Sequence, residues 1–212
     1  MRVRELQILF NDEMVQALLT GRKTCTRRAI KLPDKMTGRP IGKSGDSSNP
    51  LGFFYPGGIK RPPYQPGDIL YVRETWSEIK NADGSHKKYV YKASDQYPFG
   101  ESRYIIKFNW KPSIHMPKEA ARIWLKVTDV RVERLQDITE DGAKEEGANF
   151  KNGKNVGLEE KMRRTAIERF AEIWNSTIKK TDLDRYGWDA NPWVWVIEFE
   201  RCKSRERSSN GY

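Results

Sequence analysis

The chain has 212 residues, of which 37% are hydrophobic, and seven Trp, nine Tyr and eight Phe supply much of that mass, enough for one modest core and too little for two. Lys and Arg outnumber Asp and Glu by 39 to 29, a net charge of +10, so the partners favoured are polyanions such as nucleic acid. No membrane partner is expected: no stretch approaches the about 18–20 apolar residues of a span, and no apolar signal region follows Met1-Arg2-Val3-Arg4-Glu5.

A short helix is expected over Asn11 to Thr20, capped by Asn11 or Asp12 and stopped by Gly21. A strand follows over Thr24 to Ile30. Leu32 to Gln65 is rich in Gly, Pro, Ser and Asn, and reads as a long surface insertion without structure of its own. The turn Gln65-Pro66-Gly67-Asp68 feeds a core strand, Ile69 to Glu74. A second irregular insertion, Ser77 to Pro117, holds a hairpin around Lys88 to Lys92. Arg122 to Leu135 is the clearest strand region. Ile123, Leu125 and Val127 share one parity and Val130 and Val132 the other, so a bulge or bend is expected near Thr128–Asp129. Thr139-Glu140-Asp141 opens a helix that Gly147 ends. A longer helix is expected over Leu158 to Asn175, with Leu158, Met162, Ala166, Phe170 and Trp174 on one side. The final strand is Pro192 to Glu200, and a disordered basic tail occupies 203–212. Short mixed strands with few helices predict a single α+β domain over 1–202, its sheet closing on itself.

Cys25 and Cys202 read as unpaired thiols of a reducing cytoplasm. His86 and His115 lack any metal-ligand spacing, so no metal and no cofactor is expected. The densest polar cluster is Gly21-Arg22-Lys23-Thr24-Cys25-Thr26-Arg27-Arg28. Crowded cations disfavour the charged form of a partly buried Lys, which then serves as a general base for a nearby Thr hydroxyl. In an extended strand Lys23 and Thr26 face opposite ways, so their cooperation needs a turn or bulge between them, whereas Thr24, Thr26 and Arg28 share a face. The same spacing also suits a solvated basic edge that grips phosphate and does no chemistry.

The Gly-x-Lys-Thr-x-Thr-x-Arg pattern at 21–28, Pro66-Gly67-Asp68-Ile69-Leu70, the run from Ile138 to Gly147 and the closing Trp195-Val196-Ile197-Glu198-Phe199 together resemble the ASCH family, in order, over about residues 7 to 202. With its insertions at 32–65 and 77–117, the chain looks like the longer form carried by phages and prophages. The resemblance implies a PUA-like mixed β-barrel with flanking helices. It also implies the activity of the family's bacterial N4-acetylcytidine amidohydrolases, which work without metal. Their Lys falls on Lys23, their nucleophilic Thr on Thr26 (with Thr24 the alternative), and their Glu on Glu146 beside Glu145. The motif Arg is Arg28. Thr26 then attacks the amide carbonyl, Lys23 takes its proton, and Glu146 shuttles a proton to the departing nitrogen.

Glu74 at the rim of its strand pairs with Arg73 or lines the cleft, and Trp76 is the candidate to stack a base; Trp188 and Trp193 read as core. The expected partner is thus a modified cytidine nucleoside or RNA, with a monomer as the default. The competing expectation is an RNA-binding module, with or without ribonuclease activity, in which Lys23, Arg27 and Arg28 hold phosphate.

Overall fold

The structure, a computed structural model, describes residues 3–33, 36–41, 52–80, 87–94, 108–148 and 165–203. In chain order the regular elements are β1 (Glu5–Leu9), α1 (Asp12–Leu19), β2 (Cys25–Ala29), β3 (Arg39–Ile41), β4 (Gly52–Tyr55), β5 (Gly58–Lys60), β6 (Ile69–Arg73), β7 (Trp76–Lys80), β8 (Lys87–Tyr91), β9 (Trp124–Arg134), α2 (Glu140–Glu145), α3 (Ala166–Thr177), α4 (Leu183–Tyr186) and β10 (Trp193–Cys202). The expected residues 81–86 (with His86), 95–107, 149–164 (with Leu158 and Met162) and 204–212 of the tail lie outside the described residues.

The chain divides into two compact units, one of residues 1–21, 67–126 and 201–212, the other of residues 22–66 and 127–200. In the first, β1 runs parallel to β6, and β6 pairs antiparallel with the start of β9. Asn11 caps α1 as its sequence requires: its side chain accepts from the Met14 N–H at 2.9 Å, while Met14, Val15, Ala17 and Leu18 are buried. Burying that stripe is what holds so short a helix, since eight residues alone are marginal in water. The hairpin expected near Lys88 is present as β7 and β8, in register from Trp76↔Tyr91 to Lys80↔Lys87. Trp76, Met116, Ala120, Ala121 and Trp124 form the core beneath it.

In the second unit β10 pairs antiparallel with β2, from Val194↔Ala29 to Glu198↔Cys25, and lies between β2 and β9. Strand β9 shows the anticipated change of parity: Leu125 and Val127 are buried, then Val130, within one continuous strand. Leu135, Ile138, Ala143, Ala166, Phe170, Trp174, Val194 and Val196 form this unit's core. Trp174 Nε1 donates to Tyr186 O at 2.7 Å, so its one polar atom is satisfied as the ring is buried.

Two expectations need correction. The insertion at 32–65 is not structureless, because β3, β4 and β5 form a three-stranded antiparallel sheet within it. Its anchor is Phe53, fully buried against Trp193 at 5.9 Å between ring centroids. Nor does a barrel close among the described residues: the strands form open α+β sheets, and β1 and β2 are each paired on one side only. A parity change in β9 bends a sheet, but closure also needs the two edge strands to meet. Among the described residues no helix is long and apolar enough to cross a membrane.

Candidate active site

The second unit gathers its buried charges where the entry to β2 meets the end of α2. Thr24 is held on both sides, its N–H donating to Glu145 O and its carbonyl accepting from the Phe199 N–H, each at 2.9 Å. Helix α2 starts on the Thr139 side chain, which accepts from the Gly142 N–H. It ends where Gly147 adopts a φ of +87°, a left-handed conformation suited to glycine. Glu146 is the last residue before that glycine, so the turn fixes the direction of its side chain.

Lys23 meets this helix end. Its Nζ donates to Glu146 Oε2 at 2.6 Å and to Glu146 O at 2.9 Å. Lys23 is 4% exposed and Glu146 5%, and 123 residues of chain separate them. A cation here also faces the negative end of the helix. Glu145, by contrast, is exposed. The structure therefore brings Glu146, and not its neighbour, to Lys23.

A third charge joins them. Arg27, 6% exposed, donates through Nη1 to Glu146 Oε1 at 3.4 Å and through Nη2 to Glu133 Oε2 at 3.3 Å. Its guanidinium lies 6.0 Å from the Phe170 ring centre. Glu133 also accepts from Arg131, which bonds Glu198 in turn. Burial pulls the Arg131 guanidinium down, yet its bonds to Glu133 and Glu198 outweigh that and push it above its ordinary value. Opposite charges thus alternate from Lys23 outward to the half-exposed Arg131. The crowding expected of the four cations in 22–28 is relieved, since Lys23 and Arg27 each face a carboxylate.

Cys25 lies on the same side of β2, its Sγ 3.8 Å from Arg27 Nη1. Burial, together with the Glu146 carboxylate, pushes its thiol up to about 12. Cys25 is a buried free thiol, packed in the core.

Thr26 is not drawn into this cluster. It is 4% exposed and opposite Ile197 in the ladder, and the two-residue alternation of a strand turns it away from Cys25 and Arg27. It makes no side-chain hydrogen bond to Lys23 or Glu146. Thr24 and Arg28 share its parity, Thr24 exposed and Arg28 half-buried. Burial lowers the Arg28 guanidinium from its ordinary value, with Tyr64 and Glu146 acting in the opposite sense.

Glu74 and Trp76 belong to the first unit. Glu74 is fully buried and paired with Arg122, not with Arg73, accepting from Nε at 2.8 Å and Nη2 at 2.7 Å. Arg73 donates instead to Met116 O and to Gln7. Burial pushes the Glu74 carboxyl up, against the pull of Arg122. Trp76 is 4% exposed, packed edge-on to Tyr89 at 5.7 Å, with Lys111 Nζ 4.8 Å from its ring centre. It is a core ring with no open face for a base. In the second unit Trp188 packs against Phe170 and Trp193 against Phe53.

Sequence reasoning assigned Arg27 only to phosphate and passed over Glu133. Arg27 shares parity with Lys23 and Cys25, which was the available signal; nothing in sequence places Glu133 106 residues away against it. Among the described residues no group of three or more His, Cys, Asp or Glu is arranged to hold a metal ion. Comparison of the chain with family models, with curated proteins and with solved structures returned no match.

Proposed function

We propose that the chain is a PUA-like, ASCH-type amidohydrolase that removes the acyl group from N4-acylated cytidine or a related nucleoside. The observation that supports this reading is the buried 2.6 Å contact between Lys23 Nζ and Glu146 Oε2, two motif residues met across 123 residues of chain. One proton crossing that contact turns ammonium and carboxylate into amine and carboxylic acid, the two forms the reaction needs. In this reading Thr26 Oγ1 adds to the amide carbonyl and the Lys23 amine takes its proton, a step that requires Thr26 to leave the face of β2 on which the Ile197 pairing now holds it. The Glu146 acid then protonates N4 as the C–N bond breaks, leaving an acyl-threonine and free cytidine. Water attacks the ester and gives its proton to the Glu146 carboxylate, while the Lys23 ammonium returns one to the departing Thr26 oxygen. The pair ends as amine and carboxylic acid, and the proton recrosses the contact to restore ammonium and carboxylate. Arg28, on the face that carries Thr26, is the donor for the oxyanion. Glu74 and Trp76 are committed to Arg122 and to core packing, and they enter no step.

The test is hydrolysis of a panel of N4-acylcytidines by purified protein in the presence of a chelator. Lys23→Ala, Thr26→Ala and Glu146→Gln are each expected to lower kcat by about 10²–10⁴-fold, the usual worth of a positioned base, nucleophile or acid. A folded wild-type protein inert toward the whole panel refutes the reading.

A second reading, an RNA-binding module, has its own support. Residues 22–66 carry ten Lys and Arg against two Asp, so a net +8 of the chain's +10 falls within 45 residues. On the β3–β4–β5 sheet, Arg39, Phe54 and Ile59 form one cross-strand row, all exposed, with the Arg39 guanidinium 5.8 Å from the Phe54 ring centre. A cationic row with an exposed aromatic suits a single strand, whose bases stack while its phosphates bind cations.

A further inference from the structure

We propose that Arg27 is a positioning residue, which holds the Glu146 carboxylate so that Oε2 and not Oε1 meets Lys23. The inference rests on the reading above, in which Lys23 and Glu146 exchange the proton.

The two carboxylate oxygens of Glu146 are held differently. Oε2 takes the short bond from Lys23 at 2.6 Å, and Oε1 takes Arg27 Nη1 at 3.4 Å. Arg27 is itself held. Its backbone is fixed opposite Val196 in the β10 ladder, its second amino group is on Glu133, and its plane lies near Phe170. A planar fork gripped at two points restrains rotation of the carboxylate in a way that one ammonium does not. Lys23 and Arg27 face two carboxylates, the buried Glu146 and the part-exposed Glu133.

As a stabilising device Arg27 is poor. Both of its carboxylate contacts are longer than the about 2.7–2.9 Å of a strong charged bond, and its buried Nε has no partner. An apolar side chain at a buried strand position avoids that desolvation. What Arg27 does supply is a second point of restraint on the carboxylate that moves the proton, the kind of support a reacting group needs.

The test uses the full chain, with N4-acetylcytidine as substrate and glutamate labelled with ¹³C at its carboxyl carbon. Arg27→Met is expected to lower kcat about 10–100-fold with KM nearly unchanged, because only the proton-transfer geometry is lost. Arg27→Lys keeps the charge and the stem but reaches one carboxylate only, so an intermediate loss, about 3–10-fold in kcat, is expected. If Arg27→Met does not fold, Arg27→Lys decides. Wild-type kcat in either folded variant overturns the proposal, and so does a raised KM with kcat intact, which would make Arg27 a substrate ligand. The Glu146 carboxyl resonance supplies a readout independent of turnover. If the wild type does not hydrolyse the substrate but this resonance moves in the variants, the enzymatic reading falls and the positioning role stands. An unmoved resonance ends the positioning role whatever the activity.

Discussion

Replacing Lys23 by Met tests the burial of the Lys23–Glu146 contact. The methionine fills nearly the same space, so the change removes a charge without opening a cavity. Glu146 is left 5% exposed, with Arg27 at 3.4 Å as its remaining hydrogen-bonded cation. Breaking a buried pair from one side costs about 3–5 kcal/mol, and the surviving Arg27 contact puts the expected loss near the lower figure, about 3 kcal/mol. For a chain of this size that lowers Tm by about 6–12 °C, at about 2–4 °C per kcal/mol. Lys23→Met with Glu146→Leu removes both charges, so the double variant is expected to recover most of the loss, with a coupling energy of about 2–3 kcal/mol. Calorimetry of the four proteins gives the cycle. Amide exchange at Thr24, whose N–H donates to Glu145 O, reports the same loss locally. A Lys23→Met variant within about 1 kcal/mol of wild type, or single changes that simply add, would refute the buried pair.

The thiols and the basic sheet give two further tests. Because burial pushes Cys25 up to about 12, a thiol reagent should label the half-buried Cys202 in the native protein and Cys25 only on unfolding. The folded value lies above the unfolded ~8.5, so the Cys25 contribution to stability is intact below that pH and is lost as pH rises toward about 12. The wild-type excess over Cys25→Ala in unfolding free energy should accordingly fall by about 1.4 kcal/mol per pH unit in that window, and a flat difference between pH ~8.5 and ~11 would contradict the assignment. For the RNA reading, affinity for a single-stranded oligonucleotide should fall steeply with salt. Arg39→Ala should flatten that slope, while Phe54→Ala weakens binding at every salt concentration by about 1–3 kcal/mol. Binding that is absent, or indifferent to salt and to both changes, removes that reading.

Local chemistry was the legible part of this sequence. Asn11 before an acidic first turn, Thr139 three residues ahead of Gly142, and Gly147 at φ +87° are each decided by neighbours in the chain, and the helices start and stop where those residues direct. The parity change between Val127 and Val130 was equally local. The sheet β3–β5 was not legible, because strands of three or four residues amid Gly and Pro give no period to read. Barrel closure was over-read from a bend. At the site, the motif named Lys23 and Glu146, but the side of β2 that reaches Glu146 belongs to Lys23, Cys25 and Arg27, while Thr26 faces away. A cation in a basic run looks solvated until its acids, 106 and 119 residues distant, are seen against it.

Phe53 bears on how this molecule could be shortened. The ring sits with no exposed surface against Trp193, whose other neighbours include the Arg134 guanidinium at 4.2 Å. Cutting out residues 36–60 as dispensable decoration would strip an indole of its aromatic cover and leave a sticky patch at the start of the closing strand. A trimmed variant is expected to expose that apolar ring surface unless position 193 is made hydrophilic at the same time. The insertion and Trp193 are best regarded as a single element that must be kept or removed together.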